Sequence, residues 1–149
     1  MRFMIIIKAN EQSEAGTMPS KELIEAMGRF NEEMVKAGVL LGGDGLHPSS
    51  KGARVTLRRG KAPVVIDGPF SETKELIAGF WLLQTRSKDE AIEWVKRIPC
   101  DPTSDEASTV EIRQVFDTED FPAEVMSPEE AARENALRDE LARRQAAKS

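Results

Sequence analysis

His47 is the only histidine in the chain, and imidazole is the side chain best suited to carry a proton at neutral pH. Asp67 lies twenty residues further on, at the end of the run Val64-Val65-Ile66. A hairpin between the two could bring them together. The carboxylate would then bond one ring nitrogen, fix the tautomer and raise basicity, leaving the other nitrogen to face a substrate. A second reading stands beside this one for each residue. His47 precedes Pro48 and could simply sit in a turn. Asp67-Gly68 and Gly68-Pro69 are turn dipeptides, and an aspartate there can satisfy its own downstream amides.

Other residues offer weaker chemistry. Ser71 and Lys74 in Ser71-Glu72-Thr73-Lys74-Glu75 could meet an anionic substrate at a pocket rim, or form a solvated turn capped by Ser71 or Thr73. Arg54 and Arg58 share a strand parity and could hold a carboxylate, though an exposed face rich in arginine is the commoner cause. Gly42, Gly43 and Gly45 lack both the GK[ST] ending of a phosphate loop and a G-x-G-x-x-G run before a helix. Asp44 with Asp67 and one histidine is a thin ligand supply for a metal. Cys100 has no base nearby in sequence and reads as a buried or inert thiol. No cofactor is expected. One proton carrier suits isomerisation of, or elimination from, a small cyclic or acidic substrate; hydride transfer does not fit.

The elements that must position these residues follow from periodicity. Phe3–Ile7 is a continuous apolar run of the kind found in covered strands. Asn10 to Gly16 reads as a loop. From Ser20, Leu23, Ile24, Met27, Phe30, Met34 and Val35 recur at helical spacing, and Gly38 stands where a helix ends. Val39-Leu40-Leu41 opens a second strand. Arg54–Arg58 and Val64–Ile66 form a hairpin, and Phe80–Leu83 a central strand. Ser87-Lys88-Asp89-Glu90 matches a capping box opening a helix that Pro99 stops, and Val110–Phe116 is the last strand. Ser127-Pro128-Glu129-Glu130 caps a final helix to about Ala147. That helix carries the pairs Glu134/Arg138, Asp139/Arg143 and Glu140/Arg144.

The order β-α-β-β-hairpin-β-α-β predicts an α+β, ferredoxin-like fold: an antiparallel sheet with two helices on one face, an inserted β-hairpin and an extra C-terminal helix. The first strand and the Phe80 strand are apolar at both parities. Two helices cover one face only, so a second subunit is expected on the other, giving a homodimer.

At 149 residues, with 40% apolar and 32% charged composition, the chain fits a single soluble domain. We divide it as a domain over residues 1–121 and a helical extension over 122–149. A net charge of −5 argues against nucleic acid as a direct partner. The early apolar run is too short for a signal peptide or membrane span, so no membrane partner is expected. One cysteine permits no internal disulfide, which suits a reducing cytoplasm.

Several blocks in one order carry a family resemblance. They are Met18-Pro19-Ser20, Ala26–Glu33, Gly38–Leu41, Gly45–Ser49, Ala91-Ile92-Glu93-Trp94, and above all Asp67-Gly68-Pro69-Phe70-Ser71-Glu72-Thr73-Lys74-Glu75. Over roughly residues 1–121 the chain resembles the YCII-related (DGPF-domain) family. The resemblance implies a dimeric ferredoxin-like α/β barrel. It also implies a small-molecule acid/base site using a His–Asp pair or, alternatively, a non-catalytic ligand-sensing or protein-interaction module with a transcription-factor partner of the sigma-factor systems. Fold alone transfers neither role.

Overall fold

The computed structural model describes residues 1–148. The chain divides into two compact units, Met1–Gln114 and Val115 onward.

The first unit is built on strands β1 (Arg2–Lys8), β2 (Leu40–Gly45), β5 (Ile77–Gln84) and β6 (Val110–Gln114), in the order β2-β5-β1-β6. All three pairings are antiparallel. With α2 (Lys21–Lys36) between β1 and β2, and α3 (Lys88–Val95) between β5 and β6, this is the split β-α-β arrangement of ferredoxin-like folds. Strands β3 (Ala53–Thr56) and β4 (Val64–Asp67) form a separate two-stranded ladder.

Register explains which side is core. Phe3 pairs with Leu83 and Ile5 with Trp81, so these four side chains share one sheet face. All four are buried there with Phe30 and Met34 of α2 and Ala91 of α3. The Phe30 ring meets Trp81 edge-on at 5.7 Å and Trp94 at 6.3 Å, locking both helices to the same face. The opposite parity, Met4 with Leu82 and Ile6 with Phe80, is apolar yet only half-buried.

Several local features depart from the sequence-based expectations. The Asn10–Gly16 segment contains a helical turn, α1 (Glu11–Glu14), closed by reciprocal Asn10 and Ser13 hydrogen bonds. Strand β2 runs on through Gly42, Gly43 and Gly45, with Leu41 bulged out between Leu40 and Gly42. Glycine is required at Gly43, where a Cβ would lie 2.6 Å from the Trp81 ring and 2.7 Å from the Phe80 carbonyl. Ser87 caps α3 through the Glu90 amide at 3.1 Å, but the Glu90 carboxylate turns to the Arg86 amide at 2.7 Å, so the capping box is only half formed. The last strand stops at Gln114, short of Phe116.

In the second unit α4 (Pro128–Lys148) is capped by Ser127, whose hydroxyl accepts from the Glu130 amide at 3.2 Å. Glu140 bonds Arg144 as expected. Arg143 also turns to Glu140, at 2.8 Å, in place of the expected Asp139, because the i, i+3 neighbour is equally within reach. Asp117 accepts from Arg138 at 3.3 Å, and the Phe116 and Phe121 rings lie 5.1 Å apart. No helix among the described residues is long and apolar enough to cross a membrane.

Candidate functional site

The first unit carries a groove of about 830 Å³, within the range of small-molecule pockets. Its floor is the end of the sheet, at Gly43–Gly45 and Ala78–Trp81. One wall is α2, with Leu23, Met27 and Asn31, and the other is the segment after α3, with Ile98 to Asp101. His47 and Pro48 close one side beside the 16–19 turn. The groove exists because the glycines of β2 present no side chains to it, and the apolar stripe of α2 is longer than the core needs.

Asn31 is the polar residue on that stripe. Its Oδ1 accepts the indole N–H of Trp81 at 2.9 Å. Indole nitrogen only donates, so the amide oxygen must face it and the Asn31 amino group is directed elsewhere. Among the described residues that amino group has no protein partner. The sequence signal for Asn31 was a polar side chain four residues after Met27 and next to Phe30, on the face that should be wholly apolar.

Of the residues singled out by sequence, the structure places His47 on the groove wall, exposed. Asp67 is not on that wall. The antiparallel register sets Asp67 opposite Ala53 at the end of the hairpin, also exposed. No hydrogen bond or ion pair joins His47 to Asp67 among the described residues. Ser71 and Lys74 lie exposed in the following loop, away from the groove lining. There Thr73–Glu75 makes a 3-10 turn with no side-chain cap, so neither Ser71 nor Thr73 caps it. The Arg54 guanidinium stacks on the Phe70 ring at 3.9 Å, and Arg58 falls beyond the end of β3. Cys100 is exposed and lines the groove, so of the buried or inert thiol expected from sequence it is not the buried one, because α3 has already ended and Ile98 packs on the core.

What the Asp67–Glu75 signature does in the structure is hold the wall that carries His47. The Gly68 amide donates to the Gly52 carbonyl at 2.9 Å, closing the hairpin. A Cβ on Gly68 would lie 1.8 Å from the Ser49 carbonyl oxygen, so only glycine permits this approach. The Gly68–Pro69 peptide is cis, and the Phe70 amide donates to Ser49 Oγ at 3.0 Å. Ser49 in turn donates its hydroxyl to Glu14 at 2.5 Å and its amide at 3.1 Å. One serine, two residues after His47, thus ties α1 to the signature. Glu14 and Ser49 were not apparent as a pair, since they come from segments 35 residues apart.

Electrostatically the groove is acidic. Asp44, Asp101 and Glu106 line it, with Lys96 as its one lysine or arginine. Hydrogen bonds to Asp101 from the Thr103 hydroxyl at 2.7 Å and amide at 2.8 Å hold its carboxyl below the usual carboxylate range. Lys96 is engaged by Glu93 at 2.7 Å. Among the described residues no three His, Cys, Asp or Glu side chains gather as a metal site would need.

The model of the YCII-related domain matches residues 1–119. An uncharacterized protein, R00369, of Rhizobium meliloti strain 1021 is 30% identical over 90 residues, 58% of this chain and 72% of that protein. Among solved structures, the 5-chloro-2-hydroxyhydroquinone dehydrochlorinase TftG from Burkholderia phenoliruptrix AC1100, in complex with 2,5-dihydroxybenzoquinone, is 17% identical. The match covers 82% of this chain and 100% of that one with a TM-score of 0.38, too distant to carry residue roles across.

Proposed function

We propose, from the premise that this chain belongs to the YCII-related family, that it is a small-molecule acid/base enzyme of the isomerase or lyase type working in the groove beside His47. The observation that carries the reading is that the chain's single histidine lines its one groove of ligand size among those described. The neutral imidazole takes a proton from a ligand C–H or O–H. The imidazolium then returns it to another position, giving isomerisation, or the ligand expels a leaving group, giving elimination. The apolar walls exclude water from part of the ligand, which favours a ring or short chain over a sugar. Asp67 enters as the untested half of a His–Asp pair, and the variants below separate the two.

The test is exchange of ligand protons for deuterium in heavy water, followed by NMR over a panel of small cyclic ketones, enols and phenols. Exchange or turnover with wild type, lost in His47→Gln and kept in Asp67→Asn, supports a site centred on His47. Equal loss in both variants reinstates the pair. No exchange with any panel member, together with no shift of the His47 ring signals, overturns the reading.

A second copy of the chain is the proposed cover for the open sheet face, where Met4, Ile6, Phe80 and Leu82 form a contiguous half-exposed patch. Glu111 and Arg113, on the adjacent strand and the same parity, pair with each other at 3.5 Å beside the patch, and a two-fold axis would lay the apolar patch against its own copy. Leu82→Arg should convert a dimer to monomers in light scattering; a wild-type monomer at micromolar concentration would end the proposal.

One observation favours a different role, a docking module for a transcription-system protein. Val55, Val64, Val65 and Ile66 of the hairpin are each more than half exposed, and Lys51, Arg54, Arg58, Arg59 and Lys61 lie in the same stretch of chain. Such an arm fits an acidic protein surface. Removing residues 55–65 would abolish that role and spare chemistry in the groove.

A further inference from the structure

We infer that the groove takes an uncharged ring compound bearing hydroxyl or carbonyl oxygen, and rejects carboxylates and phosphates. This rests on the groove being the ligand site proposed above.

The inference comes from the balance of fixed charge and of free hydrogen-bonding groups. Asp44, Asp101 and Glu106 bring three carboxylates to the groove lining, and none of them has a lysine or arginine partner among the described residues. The Thr103 bonds keep Asp101 ionised. Lys96 is the one lining cation with a permanent charge, and the Glu93 carboxylate at 2.7 Å already offsets it, so it adds little net attraction for an incoming anion. Arg54 and Lys74, which could have met an anionic substrate, stand outside the groove lining, and the Arg54 guanidinium is occupied by the Phe70 ring. A carboxylate or phosphate entering here would meet net repulsion, from the exposed carboxylates of Asp44 and Glu106 above all, a repulsion that added salt screens.

The remaining donors fit a neutral oxygen. The Asn31 amino group is free because its amide oxygen is committed to Trp81, and it lines the same groove as His47. A hydroxyl or carbonyl oxygen can accept from it, while a ligand hydroxyl can donate to the carboxylates or to a neutral imidazole. Met27, Leu23 and Ile98 supply apolar surface for a ring. The acidic substrates that Ser71, Lys74 and Arg54 suggested from sequence are therefore disfavoured, and the cyclic ones kept.

The experiment compares phenol, benzoate and phenyl phosphate, three probes sharing one ring, by amide and side-chain NMR shifts of the full chain at low and high salt. Phenol is expected to shift the Trp81 indole and Asn31 amide signals. Benzoate and phenyl phosphate should bind at least about tenfold more weakly, with the gap narrowing at high salt and in an Asp44→Asn, Glu106→Gln double variant. Both substituted residues are exposed, and circular dichroism checks that the double variant is folded. Benzoate or phenyl phosphate binding as tightly as phenol at the same signals overturns the charge inference and leaves the groove as a ligand site. Failure of all three probes to shift any groove signal overturns the site itself, and this inference with it.

Discussion

The amide of Phe70 donates to the hydroxyl of Ser49 at 3.0 Å, and that bond makes the family signature a clasp on the histidine-bearing segment. Ser49 also donates twice to Glu14, so three stretches of chain meet at one half-buried side chain. The Ser49 hydroxyl accepts from one partner and donates its only proton to another, and bonds to an ionised carboxylate are the stronger kind.

Removing the clasp should cost stability and loosen His47. Ser49→Ala is expected to destabilise by about 1–3 kcal/mol, since it leaves the Phe70 amide without its acceptor and the Glu14 carboxylate with only the residue-49 amide. Hydrogen exchange should accelerate at the Phe70 amide and be unchanged at the β1 amides. Unchanged protection at Phe70 would mean the clasp is not formed in solution.

Two glycines should respond in opposite directions to the same substitution. Gly68→Ala forces a methyl against the Ser49 carbonyl oxygen and should cost roughly 3 kcal/mol or more. Gly28→Ala, within α2 and with nothing within 4 Å of the new methyl, should stabilise by about 1 kcal/mol through helix propensity. Denaturant midpoints of the two variants check both signs at once.

Phe30 joins both helices to the sheet, being 5% exposed and in contact with Trp81 and Trp94. Phe30→Ala should therefore cost about 3–5 kcal/mol and red-shift the tryptophan fluorescence even before unfolding, as Trp81 and Trp94 lose their apolar cover. A loss below about 1 kcal/mol would show that the helices are held by other contacts.

Asp101 sets a pH dependence with a definite sign. Its folded-state pKa is depressed first by the Thr103 hydroxyl and then by the Thr103 amide. The stabilisation is therefore present above the ordinary carboxylate value of 3.8 and is lost as pH falls through the lower folded value. Carboxyl-carbon NMR titration should find Asp101 below its ordinary value in wild type and moved upward in Thr103→Val. An unmoved titration would remove the Thr103 hydroxyl as the cause.

Much of the architecture was legible because it rests on local repetition. The stripe from Leu23 to Met34, the runs at Phe3 and Phe80, and the Ser87 and Ser127 caps each state their element within a few residues. The β-α-β-β-α-β order then leaves few antiparallel topologies open. The signature and its companion blocks fixed the family, and His47 stood out by being alone of its type.

Register and contacts between distant segments had to come from the tertiary structure. Sequence spacing permitted Asp67 to reach His47; the ladder pairs Asp67 with Ala53, and the contact the signature makes is with Ser49. A hairpin's side-chain directions are set by which residues pair, a relation between segments that neither segment encodes alone. The same holds for Glu14 with Ser49 and for Asn31 with Trp81, 50 residues apart. The sequence by itself determined the main strands and helices, their order and the family, since those depend on neighbours within one or two turns. Which polar groups share the groove, and that its fixed charge is negative, were decided only when the sheet and its helices brought residues 31, 44, 47 and 101 to one place.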